Sequence, residues 1–283
     1  MFTPHPRNKI LQYPNHKRMG AGFDLTLRTI TFQKASLTYA VIPWDSLYLS
    51  NTTIEIKKFS FQTTREAQNL LATLKQDLRL SKGDLLFYKT SPLEIASIQT
   101  LTSLGFYMVE EAIEISFDLS RWNPKTFPQY ANRHYRLIPA AAIHMTPMKK
   151  IAGRAFTADR YHVDTHISPA LANKRFVGWL ETSMKSTDEV YAFVDQKDIV
   201  AGFFITAKKT DGINLRLAAI DPALVGKGLG KLLYFQMFSL LKKRGNTVVH
   251  TQISLNNVAV FNVYTYLVHP KITRLEIALH CML

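Results

Sequence analysis

Residues 217 to 233 read Leu-Ala-Ala-Ile-Asp-Pro-Ala-Leu-Val-Gly-Lys-Gly-Leu-Gly-Lys-Leu-Leu. An apolar run, a turn, three alternating glycines and apolar residues at helical spacing predict a strand, a phosphate-binding loop and a helix. Gly226, Gly228 and Gly230 allow positive φ and close backbone approach, where the first helical turn leaves its amides unpaired. Amides at the positive end of a helix dipole can bind an anion.

The helix that follows the glycines has clear sequence signals. Apolar residues recur at helical spacing from Leu229 to Leu241, and a basic last turn precedes Gly245.

Several nucleotide-binding loops contain glycines, so the spacing must discriminate between them. The Walker A pattern fails because no Gly-Lys-Ser/Thr closes the loop, and the Rossmann pattern fails by one residue. A glycine-rich turn before an ordinary helix remains the alternative.

A second motif follows this helix. Residues 247–254 are rich in β-formers, and residues 257–264 have helical spacing. Asn257 and Tyr264 lie seven positions apart, which is close to two helical turns, so both side chains can meet one ligand. The alternative for Tyr264 is a core aromatic residue with a satisfied hydroxyl group.

The rest of the second half fits one α/β unit. We predict a strand at 134–138, helices at 140–156 and 169–184, and a hairpin at 189–195 and 199–208. Strands at 214–220, 247–254 and 272–280 complete the order β-α-α-β-β-β-α-β-α-β.

The first half also alternates strands and helices. We predict strands at 53–59, 84–89 and 106–117 and helices at 63–80 and 92–104, with a capping box at Thr63 and Glu66. It has no glycine loop, so we expect a smaller structural or substrate-shaping α/β domain at 36–118.

Residues 1–35 form a weakly patterned tail, with an edge strand near 23–33. Residues 119–132 carry two prolines and form the linker to a domain at 133–283.

Composition limits the compartment and the partners. The chain has 283 residues, 47% of them hydrophobic, and a single cysteine, Cys281, which excludes an internal disulfide. No apolar run is long enough for a membrane span, and no signal-peptide core is evident, so we expect a cytoplasmic protein and no membrane partner. A net charge of +14 favours polyanions. Nucleic-acid binding stays an alternative without a zinc-finger, RRM or KH signature, and we expect no metal site.

The glycine loop and the Asn257–Tyr264 segment resemble the GCN5-related N-acetyltransferases, whose signature is Gln/Arg-x-x-Gly-x-Gly/Ala. Val225 stands at the leading position here. The resemblance implies a mixed, mostly antiparallel sheet flanked by helices, with acetyl-CoA as co-substrate. The first half ends in Leu104-Gly105-Phe106, which is similar to the close of such a unit, so it resembles a truncated copy of the same architecture. The family resemblance also implies that Asn257 contacts CoA and that Tyr264 is the general acid for the departing thiolate. The loop residues that would hold the CoA pyrophosphate are Val225, Gly226, Lys227, Gly228, Leu229, Gly230 and Lys231. Backbone amides on the preceding strand can polarise the thioester carbonyl; its residues are Leu217, Ala218, Ala219 and Ile220.

A looser resemblance concerns the acceptor side. Segments around residues 155–164 and 176–181 resemble the dTDP-fucosamine acetyltransferases, which have an extra N-terminal domain. The resemblance implies that Arg160, Tyr161, Asp164 and Glu181 face the acceptor, a small-molecule primary amine such as a nucleotide-linked amino sugar. The alternative is a salt bridge with a packed aromatic ring. Among Glu181, Asp164 and His162, the sequence does not identify the general base, and the alternative is that an amino sugar with a low amine pKa needs only a water chain.

These features together predict an acetyl-CoA-dependent N-acetyltransferase. A non-catalytic CoA-binding or interaction protein on the same fold is the alternative, because Val225 and the segment Val268-His269 depart from the family pattern. The sequence leaves the oligomeric state open, with a homodimer among the options.

Overall fold

A computed structural model describes residues 25–130 and 134–283. Most of the predicted N-terminal tail lies outside the described residues. The strands are β1 (Arg28–Phe32), β2 (Ala35–Val41), β3 (Thr53–Ser60), β4 (Leu85–Thr90), β5 (Tyr107–Asp118), β6 (Tyr135–Pro139), β7 (Glu189–Asp195), β8 (Val200–Lys209), β9 (Gly212–Ile220), β10 (Val248–Ser254) and β11 (Lys271–Met282). The α-helices are α1 (Pro43–Leu49), α2 (Thr64–Asp77), α3 (Ile95–Ser103), α4 (Ala142–Ala152), α5 (Arg160–Val163), α6 (Pro169–Ser183), α7 (Leu229–Lys243) and α8 (Val258–Val268).

The described strands form one sheet in the order β1-β2-β3-β4-β11-β5-β10-β9-β8-β7-β6. Neighbouring strands are antiparallel except for two parallel pairs, β3 with β4 and β9 with β10. Helices cover both faces of the sheet. The prediction of a mixed, mostly antiparallel sheet flanked by helices is therefore confirmed.

The centre of the sheet contains an exchange of strands between the two halves of the chain. The C-terminal strand β11 pairs with β4 of the first half, from Ile277 opposite Thr90 to Met282 opposite Leu85. Strand β5 of the first half pairs with β10 of the second, from Val248 opposite Asp118 onward. Each half therefore contributes its last strand to the edge of the other.

Local signals explain where the helices begin and end. At α2 the Thr63 hydroxyl accepts the Glu66 amide at 3.2 Å, and Glu66 Oε2 accepts the Thr63 amide at 3.1 Å, which confirms the predicted capping box. Helix α6 begins with a proline after Ser168, whose hydroxyl accepts the Leu171 amide at 3.4 Å. Gly105 adopts a φ of 94° just past α3, as a helix C-terminus requires.

The segment between the two predicted domains packs against the second half. Leu119 and Trp122 are buried, and the Trp122 ring lies 5.5 Å from that of Phe235 on α7. Lys242 Nζ donates to the Leu119 carbonyl at 2.8 Å. Short 3-10 turns follow at Pro124–Thr126 and Pro128–Tyr130. The division into domains at residues 119–132 stays a prediction.

Candidate active site

Strands β9 and β10 separate after a short paired segment. Their register runs only from Ile213 opposite Val249 to Leu215 opposite Thr251. Strand β9 continues to Ile220, but in the described chain its peptide groups that face away from β8 have no strand partner along this stretch. Open backbone donors and acceptors in a cleft are available to a ligand.

A β-bulge marks the point of separation. The register between β8 and β9 shifts at Arg216, between Leu215 and Leu217. The Thr251 hydroxyl of β10 donates to the Leu215 carbonyl at 3.0 Å and closes the paired segment. A bulge bends its strand and increases the local twist, so it turns β9 away from β10.

A cavity of about 380 Å³ occupies this gap. Its walls come from both strands, from α7, α8 and the segment around α5, and from strands of the first half. The predicted site residues that line it are Leu217, Ala218, Asn257, Tyr264, Arg160 and Tyr161. The other predicted site residues, all within the described ranges, lie outside this lining: Ala219, Ile220, Val225, Gly226, Lys227, Gly228, Leu229, Gly230, Lys231, Asp164 and Glu181.

The glycine loop lies at the end of β9 and keeps its backbone accessible. Gly226 and Gly228 have φ angles of 85° and 76°, and a Cβ atom on either would meet no described atom within 4 Å. Gly228 is the N-cap of α7, so no side chain caps the first turn of this helix. Both glycines are exposed. Within the loop the Lys227 amide donates to the Leu224 carbonyl at 3.4 Å, but no side chain in the described ranges caps the first turn of α7, so amides there are open to an anion.

The residues around these glycines have different environments. Val225 is exposed, while Leu229 packs into the core beneath the loop. Lys231 on the first turn of α7 places its Nζ 4.3 Å from the centre of the Tyr266 ring. Ala219 is buried on the face of β9 that packs against α4 and α6.

Tyr264 combines burial with access to the cavity. Its side chain is 2% exposed, and its ring lies 5.1 Å from the Tyr234 ring and 5.9 Å from the Phe117 ring. Burial raises the pKa of Tyr264 well above that of free tyrosine, and Tyr234 adds to the effect, whereas the Thr251 hydroxyl opposes it. The hydroxyl is therefore protonated across the physiological range.

Asn257 is the N-cap of α8 rather than a residue within that helix. Its Oδ1 accepts the Val260 amide at 3.2 Å. It still lines the cavity together with Tyr264. Both side chains line one cavity although Asn257 precedes the helix, which it anchors, and their shared role at a site stays a prediction.

Arg160 and Tyr161 join the cavity to the first half of the chain. The Tyr161 hydroxyl donates to Asp45 Oδ2 at 2.7 Å, and Arg175 Nε donates to Asp45 Oδ1 at 2.6 Å. Asp45 belongs to α1 and is 1% exposed. The Arg160 guanidinium lies 4.1 Å above the Phe87 ring of β4. These contacts fix one wall of the cavity.

Asp164 lies behind this wall in a buried network. His280 Nδ1 lies 2.7 Å from Asp164 Oδ2, and the Tyr107 hydroxyl donates to the same oxygen at 3.1 Å. Burial acts to raise the pKa of Asp164, but the hydrogen bonds from His280 and His166 outweigh it and lower the pKa. Glu181 instead forms an ion pair with Lys149 on α4. A substrate contact for Asp164 or Glu181 stays a prediction that this placement does not favour.

The first half supplies two charged residues that the sequence reading did not identify. Lys89 on β4 and Glu110 on β5 both line the cavity. Burial raises the pKa of Glu110, opposed by the positive charges of Arg160 and Lys89. Burial lowers the pKa of Lys89, and Arg160 acts in the same direction. No local pattern marks either residue, because only the exchange of β5 and β11 brings them to the second half.

The sheet order, the gap between β9 and β10 and the glycine loop before α7 define the fold of the GCN5-related N-acetyltransferases. None of the α-helices in the described ranges has both the length and the apolar character needed to cross a membrane. No family model matches the chain.

Comparison with known proteins supports this fold. The chain is 20% identical over 243 residues to the spore coat polysaccharide biosynthesis protein SpsD of Bacillus subtilis (strain 168), covering 86% of this chain and 82% of that protein. Many solved structures are similar in fold, among them the following two. A tandem GCN5-related protein from the clavulanic acid biosynthesis pathway has a TM-score of 0.57 at 12% identity, covering 87% of this chain and 78% of the other. A GCN5-related N-acetyltransferase from Sphaerobacter thermophilus has a TM-score of 0.60 at 10% identity, covering 88% and 80%.

Proposed function

We propose that this protein is an N-acetyltransferase that moves an acetyl group from acetyl-CoA to a primary amine of a small molecule. The observation that carries the proposal is the gap between β9 and β10. It brings unpaired backbone groups of β9 and the side chains of Asn257 and Tyr264 to one cavity, and β9 leads directly into an open glycine loop.

The glycine loop is the proposed site for the CoA pyrophosphate. The open space at Gly226 and Gly228 is where a phosphate can approach the backbone, and a side chain there would fill it. Amides among residues 226 to 231 hold the phosphates in this proposal; the Lys227 amide already donates to the Leu224 carbonyl, and the Lys227 and Lys231 side chains add positive charge. The exposed Val225 removes one side-chain contact but no backbone amide.

The open backbone of β9 serves the thioester. A peptide amide of residues 217 to 220 that faces the gap can donate to the thioester carbonyl and stabilise negative charge that develops on its oxygen. Because the bulge at Arg216 fixes the direction of this strand, the donor is positioned before the substrate arrives.

Tyr264 is the proposed proton donor. Its raised pKa keeps the hydroxyl protonated, and the cavity gives it access to the leaving sulfur. Proton donation to the thiolate prevents the reverse attack on the new amide and releases CoA as the free thiol.

The class of acceptor is proposed from the name of one relative and from the residues that line the cavity. The name of the Bacillus subtilis relative places that protein in polysaccharide biosynthesis, which favours a nucleotide-linked amino sugar as acceptor here. Arg160 and Tyr161 are the proposed acceptor-side residues, since both line the cavity. The compartment of the proposed reaction is the cytoplasm, where acetyl-CoA is available.

The test measures release of free thiol from acetyl-CoA with a panel of amines that includes nucleotide-linked amino sugars, simple amino sugars and polyamines. We expect turnover with at least one amine and micromolar binding of acetyl-CoA by calorimetry. Binding without turnover across the panel would favour the non-catalytic CoA-binding alternative. Binding of nucleic acid but not of acetyl-CoA would contradict the proposal entirely.

A further inference from the structure

Glu110 differs from the other acidic and basic side chains of the cavity. Most of these have a close partner of opposite charge, and the pairs are Lys89 with Glu276 at 2.9 Å, Arg175 with Asp45 at 2.6 Å, Arg216 with Asp188 at 2.9 Å and Asp159 with His162. Arg160 reaches Asp45 only at 3.9 Å but also contacts the Tyr161 hydroxyl. Within the described residues, Glu110 has no ion-pair partner within 4.0 Å.

The carboxylate of Glu110 also retains free hydrogen-bonding capacity. The Ser254 hydroxyl of β10 lies near this carboxylate and lowers its pKa. That hydroxyl donates its one proton to the Ala158 carbonyl at 3.0 Å. A hydroxyl has one proton, while an ionised carboxylate accepts up to four hydrogen bonds. The cavity therefore contains a partly buried carboxylate that its own surroundings do not satisfy.

The backbone fixes the position of this carboxylate. Glu110 lies on β5 opposite Ala278 of β11, next to a register shift at Val109. Ala112, two residues further on, lies on the same face of the strand and also lines the cavity. The neighbouring Glu111 is exposed. The register shift in β5 thus lies next to Glu110, the glutamate in the cavity lining.

We propose that the Glu110 carboxylate binds the ammonium group of the acceptor and takes its proton, so that the first half of the chain supplies the general base of the site. A buried carboxylate without a cationic partner is stabilised when a ligand supplies the missing positive charge. The predicted ligand is a primary amine presented as an ammonium ion. This inference rests on the proposed acetyl transfer.

The proton balance of the step is complete. Glu110 accepts one proton from the ammonium group, and the neutral nitrogen attacks the thioester carbonyl carbon. The C–N bond forms and the C–S bond breaks as the nitrogen loses a second proton to solvent. The thiolate takes a proton from Tyr264, which solvent restores. The ammonium ion and acetyl-CoA thus give the amide, free thiol and one proton, which Glu110 holds until it returns to solvent.

Burial and the surrounding charges together shift the pKa of Glu110 upward, as a general base requires. Burial raises the pKa and Asp159 acts in the same direction, whereas Arg160 and Lys89 lower it, and Glu276 partly neutralises Lys89. The net shift is upward. A carboxylate with a raised pKa binds a proton more readily than that of a free glutamate, as a general base must.

The decisive experiment compares Glu110→Gln with the wild type, using the amine that gives the highest rate of thiol release. We expect kcat/KM for the amine to fall about a hundredfold or more, because both ammonium binding and proton removal are lost. Acetyl-CoA affinity stays unchanged. The acidic limb of the wild-type pH profile is lost in Glu110→Gln and retained in Glu110→Asp. The matched control, Glu111→Gln on the opposite face of the same strand, keeps wild-type kinetics.

Thermal denaturation separates this role from a structural one. Replacing an unsatisfied carboxylate by the neutral amide should leave the Tm at neutral pH unchanged or raise it, whereas a structural role predicts a lower Tm. Wild-type turnover with a nearly unchanged kcat/KM in Glu110→Gln would overturn this inference and leave the proposed function intact. Failure of the wild type to acetylate any amine would overturn the proposed function and this inference with it.

Discussion

Both halves of the chain contain a strand, a turn and a helix in the same arrangement. A glutamate side chain covers the helix N-terminus in the first half, and no described side chain covers it in the second. In both, the strand before the helix pairs in parallel with the next strand and carries a bulge, at Lys57 in β3 and at Arg216 in β9. At α2, Glu66 Oε2 accepts the amides of Gln62 and Thr63 at 2.7 and 3.1 Å. At α7, the N-cap is Gly228, and its surroundings are open.

We infer from this difference that the turn, rather than the fold, determines whether the unit can bind an anion. The carboxylate of Glu66 places a negative charge on the amides where an external phosphate would approach, and it satisfies two of them. At α7 the Lys227 amide donates to the Leu224 carbonyl at 3.4 Å, but no side chain of the described residues caps the amides that follow it. We therefore propose one acetyl-CoA site per chain, in the second half.

The largest expected effect comes from placing a glutamate at the N-terminus of α7, where α2 already has Glu66. Gly228→Glu should reduce acetyl-CoA affinity by about a hundredfold or more, because the side chain fills the phosphate space and adds like charge. The positive φ of 76° adds backbone strain, so Gly228→Asn is the control for strain without charge. Calorimetry on both variants is the measurement. Unchanged affinity in Gly228→Glu would remove the loop from the site.

The next effect concerns Tyr264, the proposed proton donor at the open site. Tyr264→Phe keeps the ring but deletes the hydroxyl, so kcat should fall by about a hundredfold while acetyl-CoA affinity and Tm stay nearly unchanged. A purely structural hydroxyl would instead cost about 1 kcal/mol of stability with little effect on turnover. Full activity in Tyr264→Phe would leave solvent or the acceptor to protonate the thiolate.

Most features that depend on residues close together in the sequence were predicted, and features that depend on distant residues were not. The strand, loop and helix at residues 217–243 depend on neighbours in the chain, and the structure reproduces them within a few residues. Leu217 and Ala218 lie on this unit, Asn257 and Tyr264 belong to the next helix, α8, and all four line one cavity. The helix α1, of seven residues, was not predicted, and β2 was also missed although Ala35, Leu37 and Tyr39 alternate with polar residues in it.

Long-range pairing explains what the sequence reading missed. The positions of Lys89 and Glu110 depend on β11 and β5 exchanging places, and no local pattern records which distant strand a β-strand will join. Asp164 has the residue type of a polar site, yet its partners His280 and Tyr107 come from distant strands and keep it in a buried network. The base at the acceptor side was therefore not identifiable from sequence.

The smallest effect is expected at the closed helix N-terminus. Glu66→Ala removes half of the capping box and should lower the free energy of unfolding by about 1 kcal/mol. It should not change acetyl-CoA affinity or create a second site, because residues 60–63 contain no glycine to let a phosphate approach the backbone. Urea denaturation and calorimetry check the two parts. A second binding event in Glu66→Ala would show that the carboxylate alone closes this helix to anions.

The stoichiometry of acetyl-CoA binding to the wild-type protein tests the central claim most directly. Calorimetry at known protein concentration should give one site per chain with a micromolar Kd. Protection from hydrogen exchange should appear at residues 217–231 and not at residues 56–66, since ligand contacts stabilise local structure. Two sites per chain, protection at the N-terminus of α2, or no binding at all would contradict the account.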